Sequence, residues 1–187
     1  RPLAIVHAAF AQAFFALTVS LAIFTSPDWR SEPADPPIAD GGRLSRLCAV
    51  TTAMIYLQAI FGAVLRHTGE RVDAHLFFAL LVTLHVIFVL LRIVKSHAHR
   101  PKLTRPAYVL AALLFLQLML GAGSYFGKFT SMLGLPKTAL VILTTIHLVT
   151  GALMLATSLL LTLRAYRFST RSKRSIGRKI LTEQFSG

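Results

Sequence analysis

Charged residues are scarce in this chain of 187 amino acids, and acidic residues are the scarcest of them. Only 14% of the residues are charged, seven are acidic and 55% are apolar. A soluble domain carries about a quarter charged residues, so this composition argues against a soluble globular protein. The single cysteine, Cys48, excludes an internal disulfide framework and any cysteine-based zinc or iron–sulfur site.

Basic residues dominate what charge there is, and the formal net charge is +13. In a soluble protein this would suggest nucleic acid, but here the basic residues lie at the ends of apolar segments, as orientation signals of membrane proteins do. We therefore expect an integral membrane protein that contacts the lipid bilayer and no nucleic acid.

Five mainly apolar segments are long enough to cross a bilayer, for which about 20 residues are needed. They cover residues 3–25, 44–65, 74–94, 107–126 and 138–163. They show no alternation of apolar and polar residues, and lipid admits only helices or closed barrels. The sequence thus predicts an all-α protein with five transmembrane helices.

The longest connection, residues 26–43, contains four prolines, four acidic residues and two adjacent glycines. Such a composition is typical of a loop between structural units. We expect residues 1–25 to be the last helix of one unit and residues 44–163 to form an up-down four-helix bundle. Residues 164–187 are expected to be a basic, loosely held cytoplasmic tail.

Lys and Arg are unevenly distributed along the chain. Five lie between positions 92 and 105 and seven between positions 164 and 179, whereas the other two turns hold two each. The positive-inside rule places the two richer regions in the cytoplasm or its equivalent side. Residue 1 is then outside, and because it is Arg and no cleaved signal peptide is recognisable, we expect an odd number of upstream helices. A five-helix protein lacking only a few residues is the alternative.

A short motif occurs twice, in the second and fourth segments. Residues 57–63 read LQAIFGA and residues 116–122 read LQLMLGA, and each motif precedes a segment with a histidine in its outer half. Small residues let membrane helices approach closely or leave room for a flat ligand, although ordinary glycine packing also explains them. The repeat predicts two hairpins in one bundle, with Gln58 and Gln117 as candidate hydrogen-bonding groups of its core.

His75 and His147 lie at matched depths, each seventeen residues before an arginine of the cytoplasmic boundary. At 1.5 Å per residue this is about 25 Å, in the outer leaflet. Their helices run in the same direction and are diagonal in an up-down bundle, so the two imidazoles can face each other. This arrangement favours a heme iron held by both histidines, with hydrogen bonding between helices as the alternative. Zinc is less apt, because two histidines leave it short of ligands.

Four further residues are candidates for contact with a cofactor. Arg66 and His67 close the second segment on the outer side and could bind a heme propionate or serve as interfacial anchors. His85 has no partner at its depth, so we expect a packing residue. His7 lies at the depth of the matched pair, but no helix of this chain remains to face it, so a ligand role would require an upstream partner.

Three stretches resemble the bacterial heme A synthase family and its mitochondrial relatives. They are residues 6–15 (VHAAFAQAFF), residues 58–69 (QAIFGAVLRHTG), and His147 followed one turn later by Gly151. Members of that family have eight helices in two homologous halves, each with a histidine pair on its second and fourth helices. The resemblance implies that the five predicted helices correspond to the fourth to eighth, so that the match covers nearly all of this chain but lacks the first three helices of the family.

The resemblance also implies an activity, since these enzymes oxidise a methyl group of heme O to the formyl group of heme A. It would make His75 and His147 the ligands of a heme b, and His7 one of two ligands of the substrate heme in the other half. The acidic residue proposed for catalysis in the family lies in the missing half, so no catalytic residue is assigned. The paired cysteines of many members are absent.

Two other functions fit the same residues, because a fold does not fix a function. The bundle could be a non-enzymatic b-type cytochrome that passes electrons within a larger respiratory complex, or a membrane subunit without a cofactor. The expected protein partners are the missing N-terminal helices, another membrane subunit, or a second copy of the chain.

The predicted orientation can be tested by cysteine labelling in intact cells. A membrane-impermeant thiol reagent should label a cysteine placed at Ser131, in an outer turn, and miss one placed at Ser96, because the latter follows a basic cytoplasmic boundary. The reverse pattern would contradict both the orientation and the expected upstream helices.

Overall fold

The computed structural model describes residues 2–31, 38, 40–130 and 133–185, with side chains up to residue 169. Within these residues every regular element is a helix. The helices are α1 (Pro2–Thr25), α2 (Pro27–Arg30), α3 (Gly41–Thr68), α4 (Val72–His97), α5 (Pro101–Phe129) and α6 (Lys137–Phe185).

Five of these helices are long and apolar enough to cross a membrane: α1, α3, α4, α5 and the Lys137–Ser169 part of α6. Large apolar side chains cover their outward faces, among them Phe10, which is 72% exposed, and Phe115, which is 66% exposed. Such continuous apolar surface is expected against lipid and not against water. Within the described residues, the prediction of an all-α protein with five helices long and apolar enough to span a membrane is confirmed.

The last helix is longer than the sequence predicted. It continues without interruption past residue 163 to Phe185, for a total of 49 residues. Its sequence between residues 164 and 185 contains no proline, and the many Arg and Lys residues favour the helix, which continues through the unfavourable Gly177. Ala165, Phe168 and Ser169 are buried, so the beginning of the expected loose tail is packed instead.

The four helices α3 to α6 form an up-down bundle. α3 packs against α4 and α6, and α5 packs against the same two helices, while the described residues show no contact between α3 and α5 or between α4 and α6. α4 and α6 are therefore diagonal, as the sequence predicted. α1 lies outside the bundle against α3 and α6, and none of its described residues is buried.

The basic end is the end at which α4 meets α5, near residues 97–101, and the turn end is the opposite end, at which α3 meets α4, near residues 68–72. At the turn end, Gly69 ends α3 with φ 79°, and its N–H donates to the carbonyl of Leu65 at 3.0 Å. Glycine adopts this left-handed conformation without steric cost, which allows a very short turn.

Tight packing is confined to the half of the bundle nearer the basic end. The last buried residues of α3 and α5, counted toward the turn end, are Ile55 and Leu114. On α4 burial begins only at Val82, and on α6 only at Thr150. Among the residues whose side chains are described, the turn-end half of the bundle contains none that is buried. The bundle is thus closed at one end and loosely filled at the other.

Acidic residues of the 26–43 segment pair with the basic end. The carboxylate of Asp28 in α2 lies 2.7 Å from Nζ of Lys102 and 3.2 Å from Nη2 of Arg164. The carboxylate of Asp40 lies 2.5 Å from Nη2 of Arg92 and 3.1 Å from Nε2 of His97. Through these pairs, Asp28 and Asp40 contact the end of α4, the start of α5 and the middle of α6.

Close contact between α3 and α6 completes the basic end. The hydroxyl of Thr52 lies 2.7 Å from that of Ser158 and 2.8 Å from that of Thr162. At the start of α3, a Cβ added to Gly41 would lie only 2.8 Å from the backbone Cα of Ser169. No side chain fits at residue 41 without separating the two helices.

The glycine pair at the start of α3 provides a matched test of this contact. Gly41→Ala should lower the free energy of unfolding by about 1–3 kcal/mol, because the new methyl meets backbone that cannot rotate away. Gly42→Ala should be close to neutral, since its Cβ would lie 3.8 Å from Oγ of Ser169, an ordinary contact. Thermal unfolding of the two variants in detergent measures the difference, and equal stabilities would contradict the close approach of α3 to α6.

The ion pairs of Asp28 predict a pH dependence of stability. The hydrogen bond from Lys102, helped by the charges of Lys102 and Arg164, holds the pKa of Asp28 below its ordinary value of 3.8. A carboxylate with a lowered pKa in the folded state contributes stability above its unfolded pKa, and this contribution is lost as the pH falls through the folded-state pKa.

Asp28→Asn should therefore lower the thermal midpoint at neutral pH, and the difference from the unchanged protein should shrink below pH 3.8 and disappear once the pH falls below the folded-state pKa. The Asp28 side chain is 49% exposed, so screening by solvent keeps the effect to no more than about 3 °C. Asp73→Asn is the control, because its 3.7 Å pair with Arg71 is more exposed still. An equal effect of both substitutions at all pH values would contradict the role of Asp28.

Candidate cofactor site

Two glutamine–histidine pairs occupy equivalent places in the two hairpins. In the first hairpin, Nε2 of Gln58 on α3 lies 3.5 Å from Nε2 of His75 on α4. In the second, Nε2 of Gln117 on α5 lies 3.4 Å from Nε2 of His147 on α6. The motif that the sequence repeats is thus repeated as a side-chain contact. These four residues are called the Gln–His layer below.

Glycines allow each imidazole to lie against the neighbouring helix. A Cβ added to Gly62 would lie 3.3 Å from Cε1 of His75, and a Cβ added to Gly121 would lie 3.2 Å from Cε1 of His147. Carbon atoms are rarely this close, so any larger residue would push the ring away. Each glycine comes one helical turn after the glutamine of its motif, which explains why the spacing of the two residues is the same in both helices.

The Gln–His layer lies directly beyond the tightly packed half. Gln58 follows the buried Ile55 by three residues, and Gln117 follows the buried Leu114 by three residues. Going from the basic end to the turn end, the layer is therefore the first level at which the described helices have no buried apolar side chains between them. A polar layer at the base of a loosely filled space is a suitable location for a ligand.

Four atoms of the layer are buried and lack a hydrogen-bond partner among the described residues. They are Nδ1 of His75, Nδ1 of His147, Oε1 of Gln58 and Oε1 of Gln117. Leaving such groups unpaired costs about 1–3 kcal/mol each, so unpaired groups at equivalent places in two hairpins call for an explanation.

Further polar residues lie between the Gln–His layer and the turn end. Arg66 is exposed and His67 half-buried, both in the last turn of α3. An open cavity of about 430 Å³ lies toward the turn end, between residues of α3 and the start of α4. It is lined by Phe61, Arg71, Asp73, Ala74, Phe77 and Phe78.

Sequence reasoning missed Arg71 as a residue of this region. Arg71 has φ 65°, a conformation that is uncommon for any residue other than glycine. Its position in a very short turn, with Asp73 two residues later and His75 four residues later, was the available signal.

The remaining histidines of the membrane segments do not join the layer. His7 lies on α1, outside the four-helix bundle, with an exposed side chain. Near it, the hydroxyl of Tyr56 donates to the carbonyl of Ala9 at 3.0 Å and connects α3 to α1. Nδ1 of His85 lies 2.9 Å from the carbonyl of Leu81 in its own helix, which agrees with the packing role predicted for it.

The donor set limits which metal centre could form here. The described residues contain no group of three or more His, Cys, Asp and Glu side chains that could hold a metal ion. Two imidazoles alone leave a metal ion short of protein ligands, so its remaining ligands would have to come from a cofactor.

The chain matches no protein family model, no curated protein and no solved structure. A function must therefore be argued from the Gln–His layer and its surroundings.

Proposed function

We propose that this chain belongs to a heme A synthase-like membrane oxidase, which converts heme O to heme A, and that α3 to α6 hold a heme b between His75 and His147. The observation that carries the proposal is the repeated Gln–Gly–His arrangement on two hairpins whose histidines come from diagonal helices. One such arrangement alone would be ordinary packing. Two at equivalent places of one bundle would offer a pair of imidazoles to a single cofactor.

The residues present fit a heme in three respects. Nε2 of each imidazole contacts a glutamine amide at 3.5 Å and 3.4 Å, which is long for a hydrogen bond and leaves the atom replaceably paired. Gly62 and Gly121 remove the side chains that would otherwise displace the rings. The turn-end half of the bundle has no buried apolar side chain among those described, so a flat apolar molecule need not displace a packed core.

Each residue of the site would have a distinct role. His75 and His147 would bind the iron, and Arg66 and His67, at the end of α3, would bind the propionates. A heme held by two histidines supplies one-electron transfer. The packed half below the layer, from Ile55 and Leu114 onward, keeps water away from the imidazoles on that side.

The oxidation of the methyl group itself would take place at a second heme, and His7 would be one of its ligands. The exposed position of His7 on α1 supports this, because an ionisable side chain facing lipid is unfavourable and calls for a covering partner. Upstream helices, another membrane subunit or a second copy could provide that cover. In this proposal the basic end lies in the cytoplasm and the membrane is the bacterial inner membrane.

A non-enzymatic b-type cytochrome is the second candidate. It is favoured by one observation: the Gln–His layer lies entirely within α3 to α6, and it contains no carboxylate that could act as an acid or base. Such a bundle could transfer electrons without any catalytic group.

The heme ligands can be tested by substitution. His75→Ala and His147→Ala should each abolish a low-spin, six-coordinate heme spectrum, because loss of one axial ligand leaves an open position on the iron. His85→Ala is the matched control on α4 and should leave the spectrum intact, since its imidazole contacts its own helix. Unchanged spectra in both His75 and His147 variants would contradict the assignment.

Extraction of the pigment from the purified protein separates the candidates. A formyl-bearing heme would support the oxidase, and heme b alone would support the cytochrome. A colourless protein from cells supplied with heme would contradict both.

A further inference from the structure

We propose that Gln58 and Gln117 are positioning residues that hold His75 and His147 in the tautomer with the proton on Nδ1, which leaves the Nε2 lone pair free for a metal. This inference deepens the proposed function and rests on it for the identity of that metal. It assigns a role to the two glutamines that neither hydrogen bonding in general nor helix packing requires.

The orientation of the Gln58 amide is set by two contacts. Its Nε2 lies 3.1 Å from the carbonyl oxygen of His75 and 3.5 Å from Nε2 of the same residue. The atom near the carbonyl must be the nitrogen, because an amide oxygen there would face another oxygen without a hydrogen between them. One N–H therefore donates to the carbonyl, and the other points toward the imidazole.

The tautomer follows from this orientation. An amide nitrogen only donates, so Nε2 of His75 has to accept and the ring proton has to be on Nδ1. Turning the amide over, so that Oε1 accepts from a protonated Nε2, would bring Oε1 against the carbonyl oxygen at 3.1 Å. Gln58 thus disfavours the other tautomer, even though Nδ1–H is then buried without a partner.

Gln117 contacts its imidazole in the same way in the second hairpin, and we assign it the amide orientation that the carbonyl contact sets for Gln58. Its Nε2 lies 3.4 Å from Nε2 of His147, and a Cβ added to Gly151 would lie 3.1 Å from that amide nitrogen. Gly151 comes one turn after His147, so it makes space for the amide beside the ring. A second glutamine placed in the same way argues against chance packing.

Both contacts are long for hydrogen bonds, and this suits a replaceable partner. A metal–nitrogen bond uses the same lone pair, so a metal at Nε2 would replace the contact with the amide. A metal–nitrogen bond is only about 2 Å long, so the amide nitrogen, 3.5 Å from the ring nitrogen, would have to move aside when a metal binds. The glutamines therefore prepare the ligand atoms before any cofactor is present.

Nitrogen-15 NMR of the full chain, labelled at histidine and prepared without heme, tests this directly. At about pH 8, where an ordinary histidine is neutral, both rings should show a protonated Nδ1 and a lone pair on Nε2. The signals can be assigned from His75→Phe and His147→Phe. Gln58→Leu should abolish the single tautomer at His75 only, and Gln117→Leu at His147 only.

Two controls separate the tautomer from general loss of structure. Gln12→Leu should leave both rings unchanged, because Gln12 also has a buried, unpaired Oε1 but lies on α1. Gly151→Ala keeps both glutamines yet should alter the His147 signal, whereas Gly123→Ala should not, since its Cβ would meet only Leu143 at 3.3 Å. The glycine pair provides the test even if a leucine variant fails to fold.

A protonated Nε2 in the unchanged chain, or a tautomer that survives in both leucine variants, would overturn the inference. Heme titration then distinguishes a failure of this inference from a failure of the proposed function. If the unchanged chain shows the expected tautomers but binds no heme, the proposed function fails and the role of the glutamines in setting the tautomers stands. If it binds heme, each leucine variant should bind it about ten-fold more weakly, as expected when a partner that orients a metal ligand is lost.

Discussion

The cost of placing an imidazole inside an apolar bundle is the constraint on which the rest of this structure depends. His75 and His147 need both space and hydrogen-bonding partners, and each need is met by the neighbouring helix of the same hairpin. Gly62 and Gly121 provide the space, while the glutamines one turn earlier provide the partners. The spacing of the repeated motif is therefore the spacing of one helical turn, applied twice.

The two halves of the bundle differ in how tightly their side chains are packed. Near the basic end, interdigitated apolar side chains, shared hydroxyl contacts and the carboxylates of Asp28 and Asp40 fix the helices relative to one another. Beyond the Gln–His layer, no described side chain is buried and the rings keep unpaired nitrogens. The packed half can fix the positions of the side chains that bind a ligand, while the loosely packed half leaves space for the ligand itself.

Much of this could be predicted from the sequence, for identifiable reasons. Segment lengths give the five helices, and counting residues to Arg92 and Arg164 gives the common depth of the two histidines, because rise per residue is fixed. Which side chains touch depends instead on helix rotation, which depth does not reveal, so the contacts of Gln58 and Gln117 were not predicted. A polar, basic composition predicts a loose tail after residue 163, whereas the structure continues α6 to Phe185, because Arg and Lys favour a helix. The heme itself stays a prediction.

The difference in packing also gives the bundle a direction of access. A planar molecule that reaches the two imidazoles cannot pass through the half closed by residues such as Leu110 and Leu161, which are only 1% exposed. It has to arrive sideways through lipid or from the turn end. Binding would then depend on how well such a molecule partitions into the lipid leaflet at the turn end. That leaflet would hold the molecule before it enters the site.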